Sequence, residues 1–164
     1  MNLEQKALLF AAYAHDGQVR KYTAEPYITH PVAVAEIVRT VPHTSDMIAA
    51  AYLHDVVEDC GVDLQTIADI FGQFVYVLVA QLTNASVGMS GNRAERKRTD
   101  RFFLAMSSVF TQTIKLADII HNCQSIAAHD PSFWKVYREE KRALLGVMPG
   151  GDETLRARAL ELIN

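Results

Sequence analysis

The sequence predicts an all-α protein in one domain, and three features carry that expectation. Apolar residues recur at helical spacing from one end to the other, convincing period-2 alternation is missing, and capping residues or glycines interrupt the pattern at intervals of one helix. In the first segment Leu3, Ala7, Leu8, Phe10, Ala11 and Ala14 keep the i, i+3, i+4, i+7 rhythm. Pro31 suits the first turn of a second helix running through Val32–Thr40, where its missing N–H is not needed. Thr44–Ser45 can cap a third helix from Met47 to about Asp59, which Gly61 then ends. Asp63 opens a short helix to Phe71, Gly72 breaks it, and Phe74–Leu82 forms the next. Within that stretch VYVLVA, 75–80, has the composition of a buried strand, but it lies amid helices with no partner strand.

Residues 85–92, ASVGMSGN, read as the clearest loop, with two glycines and two serines. A charged helix follows from Arg93 and an apolar one from about Thr111 to Ala127. Asp130–Pro131 starts a helix through Trp134 and Leu145, with Trp134 and Tyr137 on its core side. PGG at 149–151 is a turn, and Asp152 caps a last helix, ETLRARALELI. No internal repeat or linker appears, so residues 1–164 are expected to form a single domain, long enough to bury a core.

The formal net charge of −3 provides no global field for nucleic acid or an anionic membrane. An anionic ligand would need a local basic cluster. The N-terminal MNLEQKALLFAAYAHDG, broken by Glu4 and Lys6, reads as a helix and not as a signal peptide. No apolar run approaches the roughly 20 residues of a membrane span. Cys60 and Cys123 stand in no paired motif, which suits a reducing cytosol; a cytoplasmic protein is expected. The two thiols read as small buried hydrophobes and not as a redox switch.

LHDVVED, 53–59, places one histidine and three carboxylates directly behind the apolar MIAAAYL. His54 and Glu58, and likewise Asp55 and Asp59, are four residues apart, so on a continuous helix each pair shares a face. KLADIIHN, 115–122, interrupts an apolar helix with Lys115, Asp118 and Asn122, and PYITHP, 26–31, presents His30 at a helix start. Singly, each residue has a plainer account: an HD dipeptide is common on helix surfaces, Asp118 can pair with Lys115 or His121, and His30 can cap its helix. Jointly, His30, His54, Asp55 and Asp118 supply two imidazoles and two carboxylates, which one metal ion satisfies at once. That donor set suits Mn²⁺, Fe²⁺ or Zn²⁺ better than Ca²⁺ or Mg²⁺.

AHDGQVRK at 14–21, PYITHP at 26–31, AAYLHDVVED at 50–59 and KLADIIHN at 115–122 follow one another as in a known family. The chain resembles the HD-domain phosphohydrolases, and within them the (p)ppGpp hydrolases: the hydrolase domain of RelA/SpoT proteins and the stand-alone small alarmone hydrolases. The resemblance implies an HD-domain fold of about eight to ten helices around a metal site. It implies that His30, His54, Asp55 and Asp118 ligate Mn²⁺ and that Glu58 and Asp59 are the catalytic pair that positions or deprotonates the attacking water. Arg20 and Lys21 match the pair that holds the nucleotide, and Asn122 matches a ribose contact.

In NRAERKRTDR, 92–101, five basic residues stand against Glu95 and Asp100. This is either a solvated helix face or a pyrophosphate grip; its ERK pattern resembles that of small alarmone hydrolases and makes Lys97 the candidate. Arg138 matches a further basic position. His15 is expected to make a structural hydrogen bond, and His121 to pack.

The chain departs from the pattern at Cys60, where a threonine is common, and at Arg142, where small alarmone hydrolases have a tyrosine. The synthetase and regulatory regions of longer RelA/SpoT proteins have no residues here to build them, so only degradation is expected. The reading is a metal-dependent hydrolase that removes the 3′-pyrophosphate of (p)ppGpp. Its alternatives are the same machinery on another nucleotide or phosphorylated cofactor, and a non-catalytic nucleotide-binding module. The expected partner is a small-molecule nucleotide, guanosine polyphosphate, with no nucleic acid and no membrane; a homodimer is admitted as its assembly.

Overall fold

A computed structural model describes residues 1–164 and contains ten helices, with one isolated bridge between Val19 and Pro26. The protein is all-α, as the periodicity implies. No helix is long and apolar enough to cross a membrane. Two compact units, Met1–Thr83 and Asn84–Asn164, are described in turn.

The first unit is built around α3, Ser45–Leu53, in which every residue from Met47 to Leu53 is buried. α1 (Leu3–Ala14), α2 (Thr29–Val38) and α6 (Gln73–Leu82) pack against it, and α5 (Leu64–Phe71) lies on α6. Small side chains make this central position workable: Ala49, Ala50 and Ala51 of α3, Ala7 and Ala11 of α1 and Ala35 of α2 are all fully buried where these helices pack. Thr44 caps α3 by accepting from the Met47 amide at 3.3 Å, and Asp63 caps α5 through the Gln65 amide at 2.9 Å. VYVLVA belongs to α6, with Val75, Leu78 and Val79 buried at helical spacing.

One expectation is corrected here. The predicted continuous helix from Met47 to Asp59 is two helices, α3 and the short α4 (Val56–Cys60), with His54 and Asp55 at the break. The cause is local. His54 Nδ1 bonds the Ala51 carbonyl at 2.8 Å, the acceptor a continuous helix would give to the Asp55 amide. The four-residue rule therefore does not carry through from His54 to Glu58. Gly61, at φ +66°, ends α4 in the left-handed conformation that favours glycine.

In the second unit α8 (Val109–His129) is the central helix, flanked by α9 (Pro131–Val147) and α10 (Glu153–Ile163), while α7 (Arg93–Ala105) packs on α9. Asn92 and Glu95 form a reciprocal capping box at the start of α7, and Ser108, Asp130 and Asp152 cap the other three helices. Buried Gln112 ties the turns together. Its Nε2 donates to the carbonyls of Leu104 (3.2 Å) and Ser107 (3.1 Å), and its Oε1 accepts from the Gly150 amide at 2.7 Å. Gly151 has φ +86°, and a Cβ there would lie 2.7 Å from Leu116 Cδ1 and 3.1 Å from the Gln112 backbone. The PGG turn therefore presses bare backbone against α8.

Candidate metal centre

Residues 15–28 form a tight loop between α1 and α2. The Arg20 amide donates to the Glu25 carbonyl at 2.8 Å and the Tyr27 amide to the Gln18 carbonyl at 2.9 Å. The loop delivers Tyr27 and, three residues on, His30, which is only 1% exposed in the first turn of α2. The break between α3 and α4 delivers His54 and Asp55 from the other side.

These three residues meet. The ligating atoms of His30, His54 and Asp55 all lie within 4.8 Å of one another. His54 Nε2 is 3.0 Å and His30 Nε2 3.6 Å from Asp55 Oδ2. The Ala51 carbonyl can only accept, so His54 Nδ1 carries a ring proton, and Nε2 is the nitrogen that faces Asp55. Two imidazole nitrogens around one carboxylate oxygen call for positive charge between them. Donors about 2.1 Å from a shared ion lie about 3.0 Å apart at a right angle and about 3.4 Å apart at the tetrahedral angle. The observed spacings fit a divalent cation, with the backbone carbonyl holding His54 in place as metal-bound histidines usually are held.

Around the three lies a support the sequence reading missed. Tyr27 donates its hydroxyl to Asp55 Oδ2 at 2.8 Å, and burial and the Asp55 charge push its own pKa upward. It also links a series of rings: His15 stacks on Tyr27 at 4.6 Å, Tyr27 meets His30 edge-on at 5.9 Å, and His30 meets His54 edge-on at 5.1 Å. Its position three residues before His30 in PYITHP was the available signal. His15 is structural, as expected: Nδ1 lies 2.8 Å from Gln18 Oε1, while Gln18 Nε2 donates to the Asp59 carbonyl at 3.2 Å. The AHDGQ block thus fastens the end of α4 to the loop.

Glu58 is half-buried and Asp59 lies at the surface, both on α4. Partial shielding from water and the nearby Asp55 charge hold the Asp59 carboxyl above its ordinary range. Arg20 places its guanidinium 5.6 Å from the centroid of the Tyr27 ring, and Lys21 stands over Tyr22 at 4.8 Å. Burial raises the Cys60 thiol, and it pushes Cys123 up to about 12, so both stay protonated at neutral pH.

The remaining expected residues lie in the second unit. Asp118 on α8 accepts from Lys115 Nζ at 2.8 Å on Oδ2 and from Asn122 Nδ2 at 2.6 Å on Oδ1. The plainer pairing with Lys115 is therefore real. Lys97 on α7 lies 3.4 Å from buried Asp100, which also receives the Ser86 amide. Arg138 on α9 has its Nε 3.8 Å from Glu139 Oε1. Arg142 is held by Glu139 and donates to the Ile163 carbonyl at 2.7 Å. Tyr137 is buried, as expected of the core side of α9.

Residues 7–144 match the model of the HD domain. The chain belongs to the HD-domain family. Family membership implies dependence on a divalent metal, and His30, His54 and Asp55 are a group able to hold one. The chain is 39% identical over 129 residues to a probable guanosine-3′,5′-bis(diphosphate) 3′-pyrophosphohydrolase of Synechocystis, covering 77% of this chain and 17% of the relative. It is 33% identical to the guanosine-3′,5′-bis(diphosphate) 3′-pyrophosphohydrolase MESH1 of Drosophila melanogaster, covering 83% of this chain and 76% of that one. The chain thus spans under a fifth of the long relatives and most of the short one. The solved structure of a metazoan ortholog of SpoT that hydrolyzes ppGpp superposes with a TM-score of 0.87 at 28% identity, covering 99% of this chain and 94% of that one.

Proposed function

We propose that the protein is a Mn²⁺-dependent cytoplasmic hydrolase that removes the 3′-pyrophosphate of (p)ppGpp. The observation that carries this reading is the convergence of His30, His54 and Asp55, with Glu58 and Asp59 following in α4, in a chain whose full-length counterparts are named for that reaction. Asp118 is proposed as the fourth ligand on the strength of the KLADIIHN block. A bound divalent ion supplies Lewis acidity to a phosphoryl oxygen and lowers the pKa of a water.

The chain's own residues do the rest. Glu58 and Asp59 orient the attacking water and accept its proton. The water oxygen bonds to the phosphorus attached to the 3′-oxygen, the bond from that phosphorus to the 3′-oxygen breaks, and the 3′-oxygen takes a proton as pyrophosphate leaves. Arg20, already resting on the Tyr27 ring, offers a flat cationic face to a purine, and Lys21 beside it offers a point charge to phosphate. Asn122, Lys97 and Arg138 are assigned to the ribose and phosphates. Neither nucleic acid nor a membrane is a partner in this reading, and a homodimer is its assembly.

One observation supports a second reading of the substrate. Arg142, at the position of the expected tyrosine, is engaged by Glu139 and by the last turn of α10. The position that carries a tyrosine in small alarmone hydrolases is here a structural tie, which supports a related phosphorylated nucleotide or cofactor as the substrate.

The test is a hydrolysis assay on Mn²⁺-loaded protein with ppGpp, ordinary nucleotides and NADPH, with His54→Ala as the control. Intact pyrophosphate released from ppGpp and lost in the variant is the expected result. Turnover of another compound that depends on His54 would move the second reading forward. Metal binding without any turnover would leave a nucleotide-binding module.

A further inference from the structure

At the corner between α7 and α8, in the second unit, Phe102, Phe103, Met106, Val109 and Phe110 are each between 39% and 72% exposed. They fall within nine residues, FFLAMSSVF, of which only Leu104 is buried. The corner is tight: α7 ends at Ala105 and α8 starts at Val109. The Met106 amide donates to the Phe103 carbonyl at 3.2 Å. From the first turn of α8, Gln112 reaches back to the Leu104 and Ala105 carbonyls at 3.2 and 3.4 Å. The two helix ends therefore lie within one side chain of each other. Phe102 and Phe103 meet edge to face with ring centroids 5.5 Å apart, and Phe102 and Met106 are four residues apart on one face. Val109 extends the surface to the 149–151 turn, where a Cβ on Gly150 would come within 3.2 Å of its Cγ1 and where Pro149 is exposed.

A single exposed apolar side chain needs no explanation, but a contiguous group does. At about 150–250 Å² for a large side chain, these five leave on the order of 500 Å² in water. That stands near the top of what the largest apolar patch of a monomer reaches. Two copies set face to face would cover on the order of 1,000 Å², the lower limit for a specific interface. Elsewhere exposed large apolar residues come in ones and twos along the chain, as Leu9 and Tyr13 do on α1.

The composition of the patch names its occupant. From Phe102 to Phe110 no residue is charged. A twofold contact sets the same patch against itself, so a charge at its centre would meet a like charge. Here there is none to meet, and aromatic residues and methionine are the types that interface centres favour. A partner recognised by charge finds nothing in this stretch to select it, and the net charge of −3 gives no pull toward an anionic bilayer. Arg98 and Arg101 stand up to one turn earlier on α7, outside the apolar stretch, as suits a polar rim.

We propose that the α7–α8 corner is the face through which two copies of this chain pair about a twofold axis. It gives a surface to the homodimer of the proposed reading and rests on that part of it alone, needing neither the metal nor the substrate.

The experiment is sedimentation velocity on the full chain over a concentration series, comparing wild type, Phe102→Glu and Leu9→Glu. Leu9 is 59% exposed and Phe102 61%, so the two variants differ in place and not in burial, and circular dichroism checks that both stay helical. Wild type is expected to reach twice the 18.3 kDa chain mass with a Kd in the micromolar range. Phe102→Glu should weaken pairing about thirtyfold or more, because a substitution enters an isologous contact twice, while Leu9→Glu stays within about twofold. A dimer that Phe102→Glu leaves unchanged would overturn this face and keep the homodimer. Wild type that remains a monomer up to about 300 µM would overturn both, and cosedimentation with phosphatidylcholine vesicles would then give the patch to a lipid surface. A dimer that depends on Phe102 in a protein that turns over no ppGpp supports the face while the substrate reading falls.

Discussion

In the first unit two imidazole nitrogens turn on one oxygen of Asp55, at 3.0 and 3.6 Å; in the second, Asp118 accepts from Lys115 at 2.8 Å and from Asn122 at 2.6 Å. The first arrangement has lone pairs in excess and fits a cation. The second is a carboxylate engaged by an ammonium on one oxygen and an amide on the other. Their supports differ as well. Asp55 is steered by a neutral hydroxyl, Tyr27, which orients it without adding charge, whereas Asp118 is steered by an ammonium.

The largest effect that sharpens the contrast is expected from Asp55→Ala. The oxygen shared by both histidines disappears, so metal content measured by atomic emission should fall to background and turnover should drop about a thousandfold or more. Asp118→Ala makes the matching test on the other unit. Retained metal there would reduce Asp118 to a partner of Lys115 and break the proposed ligand set.

The chemistry of the first unit was legible because metal donors are residue types in short blocks. HD, THP and ED sit within seven residues or less of a helix boundary that the sequence also marks with Pro31, Thr44 and Gly61. Nine helical spans and most caps followed from the same signals. The break at His54 was not legible, because it depends on a side chain competing for the Ala51 carbonyl, and periodicity carries no record of that competition. Tyr27 was hidden for a different reason. A tyrosine before a helix reads as packing until a buried carboxylate is placed 2.8 Å from its hydroxyl.

Next in size is a change to the frame of the second unit. Gln112→Ala removes a buried amide that serves the end of α7 and the 149–151 turn together. Each partner carbonyl or amide left without it keeps its desolvation cost, so a loss of about 2–3 kcal/mol is expected in urea unfolding. Metal affinity should change far less than in Asp55→Ala, since Gln112 bonds backbone groups of the turns and not Asp118 or the group that meets at Asp55.

Tyr27→Phe reverses that pattern with a smaller effect. The ring series survives and the hydroxyl is lost, so Asp55 keeps its place but not its orientation. Metal affinity is expected to weaken about tenfold, at the low end for removal of a residue that orients a ligand, while unfolding stability changes by under about 1.5 kcal/mol. A variant that loses stability and keeps its metal affinity would make Tyr27 a core residue that merely lies beside the site.

The smallest effect belongs to Glu4, which tests whether charge on the first unit matters away from its cation site. Arg39 Nη2 donates to Glu4 Oε2 at 2.5 Å, joining α1 to the residue after α2, and this bond is the main reason the Glu4 carboxyl titrates below its ordinary 4.5. A carboxyl whose pKa is depressed by folding stabilises the fold above its unfolded value, and that contribution is lost as the pH falls through the folded one. Glu4→Gln should therefore cost about 1 kcal/mol at neutral pH, the upper end for pairs near the surface, since both side chains are half-buried. The gap between wild type and variant should close as the pH is lowered from about 4.5 toward the folded value, and urea unfolding along that series measures it. Metal affinity should not move, because neither Glu4 nor Arg39 belongs to the group that meets at Asp55. A gap that stays constant across the series would mean that Glu4 acts through packing and not through its charge.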